Sequence, residues 1–265
     1  MDKNEPDLNK VYQKIQDLLK NKGQVVSVLE EQVDVEMQME YFKFSKNQGK
    51  DFDKEHILNE KGLLFSEDTT VDRKKELLVS LAKIDDPEAY RAIEDYKNNA
   101  DEELKSWSVL AFQESKMVLE TSLLGSAPIF ISTGLGGQGS NLRYFVVLVA
   151  AEDKPFEKWQ CDLVEKEVGY LFESEEGEIE SMEFDNDKVL IKVLLPISTN
   201  IKDFFSKGIK ECNEFGNFLT ESFLVTNVKE LSIEEVDELI QDFRLNKENG
   251  GEADDSYVED IDDVI

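Results

Sequence analysis

The chain has 265 residues, of which 40% are hydrophobic and 9% aromatic, enough to bury one large core or two smaller ones and too apolar for a chain disordered along its length. Fifty-nine acidic residues against thirty basic ones give a formal charge of -29, a field that repels phosphate backbones, argues against direct nucleic-acid binding and favours basic partners. No apolar run approaches the roughly 18–20 residues of a membrane span, and the opening MDKNEPDLNK lacks the basic flank and apolar core of a signal peptide, so the expected setting is cytoplasmic, away from membranes.

From Pro6 the residues Leu8, Val11, Ile15, Leu18 and Leu19 fall on one stripe, which predicts an amphipathic helix ending near Gly23. Residues 24–46 are mixed. Val33, Val35, Met37, Met39 and Tyr41 alternate as in a strand, while the Glu, Gln and Met content suits a helix, and the reading leans to helix. A polar loop with Gly49 follows, then a short helix around residues 56–60.

Three capped helices come next. Leu77, Leu78, Leu81 and Ile84 share one face; Asp86 and Pro87 then open a helix with Ala89, Tyr90, Ile93 and Tyr96 as its stripe. A third helix starts near Asp101 and carries Leu104, Trp107, Leu110, Ala111 and Val118. The stretch LLVSLAKIDDPEAYRAIEDYKNNADEELKSWSVLAFQES, with its Leu/Ala positions, Asp-Pro turn and following capped helix, resembles about one and a half units of a HEAT-type helical repeat over residues 71–120. That resemblance implies a surface for protein partners rather than chemistry; an ordinary helical bundle suits the same pattern.

At Gly125 helical periodicity gives way to strand runs. PIFIST (128–133) and LRYFVVLVAA (142–151) read as strands joined by the exposed glycine-rich loop GLGGQGSN. Pro155 starts a helix with Phe156, Trp159, Leu163, Val164, Val168 and Leu171. Strands over 178–184 and 189–197 flank the turn sequence Asp185-Asn186-Asp187-Lys188. A helix over 201–215 and a strand over 218–228 follow, and Ser232-Ile233-Glu234-Glu235 is a capping box that opens a last helix. From Leu142 the order β-α-β-β-α-β resembles a ferredoxin-like domain. The run YFVVLVAA predicts a central strand buried on both faces.

Few residues carry a chemical signal. His56, the sole histidine, stands in a polar segment without a triad partner nearby. Cys161 and Cys212 have neither metal-knuckle nor redox-pair spacing and read as small buried thiols of a reducing compartment. Gly134, Gly136, Gly137 and Gly139 form a G-x-G-G-x-G run, but a strand follows where a phosphate-binding loop needs a helix. The run is read as a flexible hairpin connection, or alternatively as a contact for a ligand or partner with Arg143 supplying charge. No cofactor or metal is expected, since no calcium-loop spacing appears.

The tail KENGGEADDSYVEDIDDVI (247–265) holds eight carboxylates and one lysine. Asp254, Asp255, Tyr257, Asp260, Ile261, Asp262 and Asp263 alternate charge with apolar side chains, as in a disordered peptide that docks into a basic groove. A solvating tail and one folded back on its own domain are the alternatives. The expected fold is α+β, with a helical domain over 1–124, a ferredoxin-like domain over 125–245 and an acidic tail over 246–265. The expected function is a non-enzymatic adaptor or scaffold for a protein partner; the alternative is a small-molecule-sensing module built on the ferredoxin-like half.

Overall fold

The structure is a computed structural model and describes residues 26–49, 53–152, 154–173, 176–248 and 257–258. The helix expected over 6–22 and the tail, apart from Tyr257 and Val258, lie outside the described residues. The fold is α+β, and the chain divides into two compact units that meet in sequence between Ile131 and Ser132. Among the described residues no helix is long and apolar enough to cross a membrane.

In the first unit Val26–Val28 is a short strand, β1, and Val35–Gln48 is helix α1. The mixed signal over 24–46 therefore resolves into both states in succession, and the helical expectation fails for its first residues. Asp34 divides them: its carboxylate accepts the backbone N–H groups of Glu36 (2.9 Å) and Met37 (3.2 Å), an N-cap that starts the helix there. Helix α2 spans Lys54–Glu60, α3 Val71–Ala82, α4 Pro87–Asn98 and α5 Lys105–Leu124. Asp53, Thr70 and Asp86 cap α2 to α4, Pro87 sits at the first turn of α4, and Gly125 closes α5 in the left-handed region at φ 71°, where a residue without Cβ is favoured.

Helices α3, α4 and α5 each pack against the other two. Their apolar stripes meet in a core that includes Leu77, Leu81, Ile93 and Trp107, all 1% exposed or less. Tyr41 of α1 packs edge-on to Trp107 with ring centres 5.1 Å apart. A buried phenol needs a partner. Tyr41 donates to Glu114 Oε2 at 2.6 Å, and Ser45 Oγ donates to Glu114 Oε1 at 2.9 Å; burial first, and then the Glu114 carboxylate, push the phenol well above its ordinary range.

Strand β2, Ile129–Ile131, belongs to this unit. It pairs in parallel with β1, Val26 opposite Ile129 and Val28 opposite Ile131, and Gln113 Nε2 donates to Ser27 Oγ at 2.8 Å. The hairpin expected between PIFIST and LRYFVVLVAA is thus not formed, because PIFIST is taken by a partner about a hundred residues earlier. The strand that does pair with the start of the central strand comes from the glycine run itself: β3, Gly137–Gln138, opposite Leu142 and Asn141 of β4.

The second unit is built on β4 (Asn141–Ala150), α6 (Lys158–Glu173), β5 (Glu178–Asp185), β6 (Lys188–Pro196), α7 (Ile201–Asn213), β7 (Leu219–Thr226) and α8 (Ile233–Glu248). The spatial order is β5-β6-β4-β7, each neighbour antiparallel. That is the arrangement a ferredoxin-like β-α-β-β-α-β order requires. Asn186, at φ 51°, makes the tight turn between β5 and β6, in the left-handed conformation that asparagine tolerates. A further two-residue strand, β8 (Tyr257–Val258), lies parallel to β7 on its outer side.

Side chains alternate across β4. Phe145, Val147 and Val149 join Leu224 of β7 and Leu135 on one face, where Leu231 and Val236 cover them. A chain of aromatic contacts fills the other face: Phe172 of α6 meets Phe204 of α7, Phe204 meets Phe205, and Phe205 packs on Phe223 of β7 at 5.7 Å. Helices α6 and α7 approach closely at Gly208, where a Cβ would stand 2.6 Å from Leu171 Cδ1. The central strand is buried on both sides, as its apolar run predicts.

Candidate functional site

Strand β7, LTESFLVT, opens with Leu219 and three polar residues and becomes wholly buried from Phe223 to Thr226. After it the chain turns through Asn227 and Val228 to Ser232, where the capping box forms as its spacing predicts: Glu235 N–H donates to Ser232 Oγ at 3.3 Å and Ser232 N–H to Glu235 Oε2 at 2.8 Å. The resulting helix α8 carries Val236, Leu239, Ile240 and Phe243 at i, i+3, i+4 and i+7, a stripe that must find an apolar face. It finds the second face of the sheet. Lys188, 8% exposed, fastens it there with ion pairs to Asp187 and Asp237, both at 2.8 Å. Burial works against its charge, but the two carboxylates outweigh that and raise its pKa.

Helix α8 does not close the face completely. Val149 of β4 and Thr220 to Leu224 of β7 on the sheet side, and Leu239, Ile240, Phe243 and Arg244 on the helix side, line a half-open cavity of about 350 Å³. Apolar side chains dominate the lining, and among the described residues Glu221 and Arg244 are its only charged ones. The Thr220 hydroxyl donates inward, to Ser222 O at 2.7 Å and Val149 O at 3.2 Å. The outer edge of β7 runs beside this cavity. Among the described residues only Leu224 and Val225 pair on that side, with Tyr257 and Val258. An edge that already accepts an extended segment, next to an apolar recess, is the physical form of a strand-addition site.

The glycine run is a buried strap rather than an exposed loop. Thr133 to Gly137 are buried, and only Gln138 to Ser140 face solvent. Gly134 abuts the end of β7 so closely that a Cβ would fall 1.7 Å from Val228 O, and Leu135 N–H donates to Asn227 O at 2.9 Å. Gly136 and Gly139 adopt φ 69° and 63°, Gly137 pairs in β3, and the Leu135 side chain enters the core under α8. The cost of ordering four glycines is met by these internal contacts, which corrects the expectation of a flexible hairpin connection.

Arg143 holds the strap from beneath. Its Nη1 donates to Leu135 O at 2.8 Å, while Nε and Nη2 grip Glu180 at 2.6 and 2.7 Å. This bidentate pair lowers the Glu180 carboxyl below its ordinary range and raises the guanidinium further. The structure thus brings Gly134, Gly136, Gly137 and Arg143 together, with the charge of Arg143 met by Glu180. Of the tail residues singled out in the sequence, Tyr257 alone is described; Asp254, Asp255, Asp260, Ile261, Asp262 and Asp263 lie outside the described residues.

The remaining reactive groups are scattered. His56 is exposed and its Nε2 lies 3.6 Å from Glu60 Oε1, one turn on. Cys212 is buried, and burial first, then Glu167 and Glu211, push its thiol up to about 11. Cys161 is also raised, chiefly by burial; neither thiol has the electropositive setting of a nucleophile. Among the described residues no group of three or more His, Cys, Asp or Glu is placed to hold a metal ion. No protein-family model matches the chain, and no curated protein matches it in sequence.

Sequence reasoning found β7 and α8 but not the recess between them. The apolar spacing from Val236 to Phe243 was the available signal, since a stripe of that width after the last strand has to return to the sheet.

Proposed function

We propose that the chain is a non-enzymatic, cytoplasmic protein-binding adaptor that receives an extended basic segment of a partner along the outer edge of β7. The observation that carries this reading is the juxtaposition of that edge with the apolar cavity under α8. Main-chain pairing supplies affinity without demanding a sequence, and alternate side chains of the incoming strand enter the recess. The net charge of -29 draws a basic segment and repels an acidic one. In the same reading the acidic tail offers the partner a second, charged contact, and the packed helices α3 to α5 serve as a HEAT-like scaffold face.

The test is a titration of the full chain with a fluorescein-labelled probe peptide of alternating lysine and valine, followed by anisotropy. Binding is expected to weaken as salt rises and to vanish for an equally charged probe with proline at alternate positions, which cannot pair with the edge. Ser222→Trp, which fills the recess, is expected to abolish it. Equal binding of the proline probe shows simple charge attraction and overturns the reading.

The cavity volume favours a second reading, a small-molecule-sensing module, because about 350 Å³ falls within the range of ligand pockets. A small-molecule panel screened by thermal shift separates the two. A dose-dependent rise in Tm lost in Ser222→Trp supports the sensor, and no response from any compound counts against it.

A further inference from the structure

Two residues of the tail already lie where an incoming strand would pair. Tyr257 and Val258 stand parallel to β7, opposite Leu224 and Val225, and so take up the outward-facing backbone groups at the buried end of the strand. We propose that this tail segment is an internal competitor that covers the β7 edge and yields it to a basic extended segment of a partner. The inference rests on the strand-addition reading above and adds its regulation.

Charge argues that the cover is weakly held. The tail carries eight carboxylates and one lysine; the edge that Tyr257 and Val258 pair with carries Glu221, against Arg244 across the cavity, and the covering helix exposes Glu234, Glu238 and Asp242. The net charge of -29 opposes the approach of an acidic segment, a repulsion that reaches about one Debye length, roughly 8 Å. A basic strand meets attraction at the same place, and on entering it both pairs with β7 and leaves the tail carboxylates free to bind its flanking lysines or arginines.

Tethering argues that the cover is nonetheless occupied. Only the short stretch Asn249 to Ser256 separates α8 from Tyr257, so the tail is presented to the edge at an effective concentration on the order of millimolar. Two residue pairs suffice at that concentration, whereas a partner arriving from solution has to pair along more of β7. Among the described residues the edge from Leu219 to Phe223 has no strand partner on that side, and the recess lies beside it.

Val258→Pro tests the proposal in the full chain, since proline removes an amide from β8 while leaving every charge in place. Amide exchange over residues 222–226 and affinity for the lysine–valine probe are measured in parallel. The expected result is faster exchange in the variant with probe affinity raised about fivefold, the factor for an edge that is open about one fifth of the time. Unchanged exchange overturns the proposal whatever the probe does, because the tail then does not cover the edge. Faster exchange with unchanged affinity also overturns it, because the cover then does not compete. If exchange quickens and neither chain binds the probe, the strand-addition reading itself fails and the tail is reduced to an edge cap; far-UV circular dichroism confirms that the variant is folded.

Discussion

On one face of the sheet, α6 and α7 set Phe172, Phe204 and Phe205 in a continuous aromatic run against Phe223; on the other, α8 covers Val147 and Leu224 but leaves a cavity of about 350 Å³ under its second half. The two faces receive the same apolar strands and differ in what covers them. Two crossover helices are tied to the sheet at both ends and close as tightly as Gly208 allows. Helix α8 is tied at Lys188 and Ser232 near its start, and its second half borders the cavity. Tight packing supplies stability, and the looser face leaves an open apolar recess.

The largest effect that separates the faces comes from paired truncations. Phe205 is 1% exposed between Phe204 and Phe223, so Phe205→Ala is expected to cost about 4 kcal/mol. Leu239 borders the cavity and is half-buried. Leu239→Ala is expected to cost about 1 kcal/mol, because part of its surface already meets open space. Urea unfolding of both variants measures the difference, and equal costs would show that the second face is as well packed as the first.

Much of the tight face was legible in local pattern. The order of elements along the chain, the helices expected over 155–171 and 201–215 and found at Lys158–Glu173 and Ile201–Asn213, and the Asn186 turn follow from period, caps and turn residues that act within a few positions, whereas the lateral pairing of the strands does not. What escaped was non-local. The pairing of Val26–Val28 with Ile129–Ile131 joins two three-residue strands about a hundred positions apart, and no period marks a strand that short. The glycine run misled for a related reason: its composition signals freedom, whereas Gly134 is demanded by the Val228 carbonyl and Gly136 by its φ of 69°. Both reasons appear only when the end of β7 is beside it. The recess belongs to the same class, since α8 was read as a helix but its landing place depends on the whole sheet.

The strap gives the smallest and most selective probe of the looser face. Arg143 donates to Glu180 and to Leu135 O, and Leu135 fills the core below α8. The Glu180 carboxyl is held below its ordinary 4.5 by that hydrogen bond and the charge behind it. A group whose folded pKa is depressed adds stability above its unfolded value and loses it as pH falls through the folded one. The pair is partly exposed, so its worth is about 1 kcal/mol. The gap in unfolding free energy between the natural chain and Arg143→Met is therefore expected to be widest above about pH 5 and to narrow towards pH 3, as protonation of Glu180 sets in. It does not close, because the bond to Leu135 O has no titrating partner and persists in acid. Urea unfolding at both pH values reads the change in the gap, so the other carboxylates cancel. A gap that stays constant with pH would mean that Arg143 steadies the strap through Leu135 alone, and that the ion pair with Glu180 adds nothing to the closure of this face.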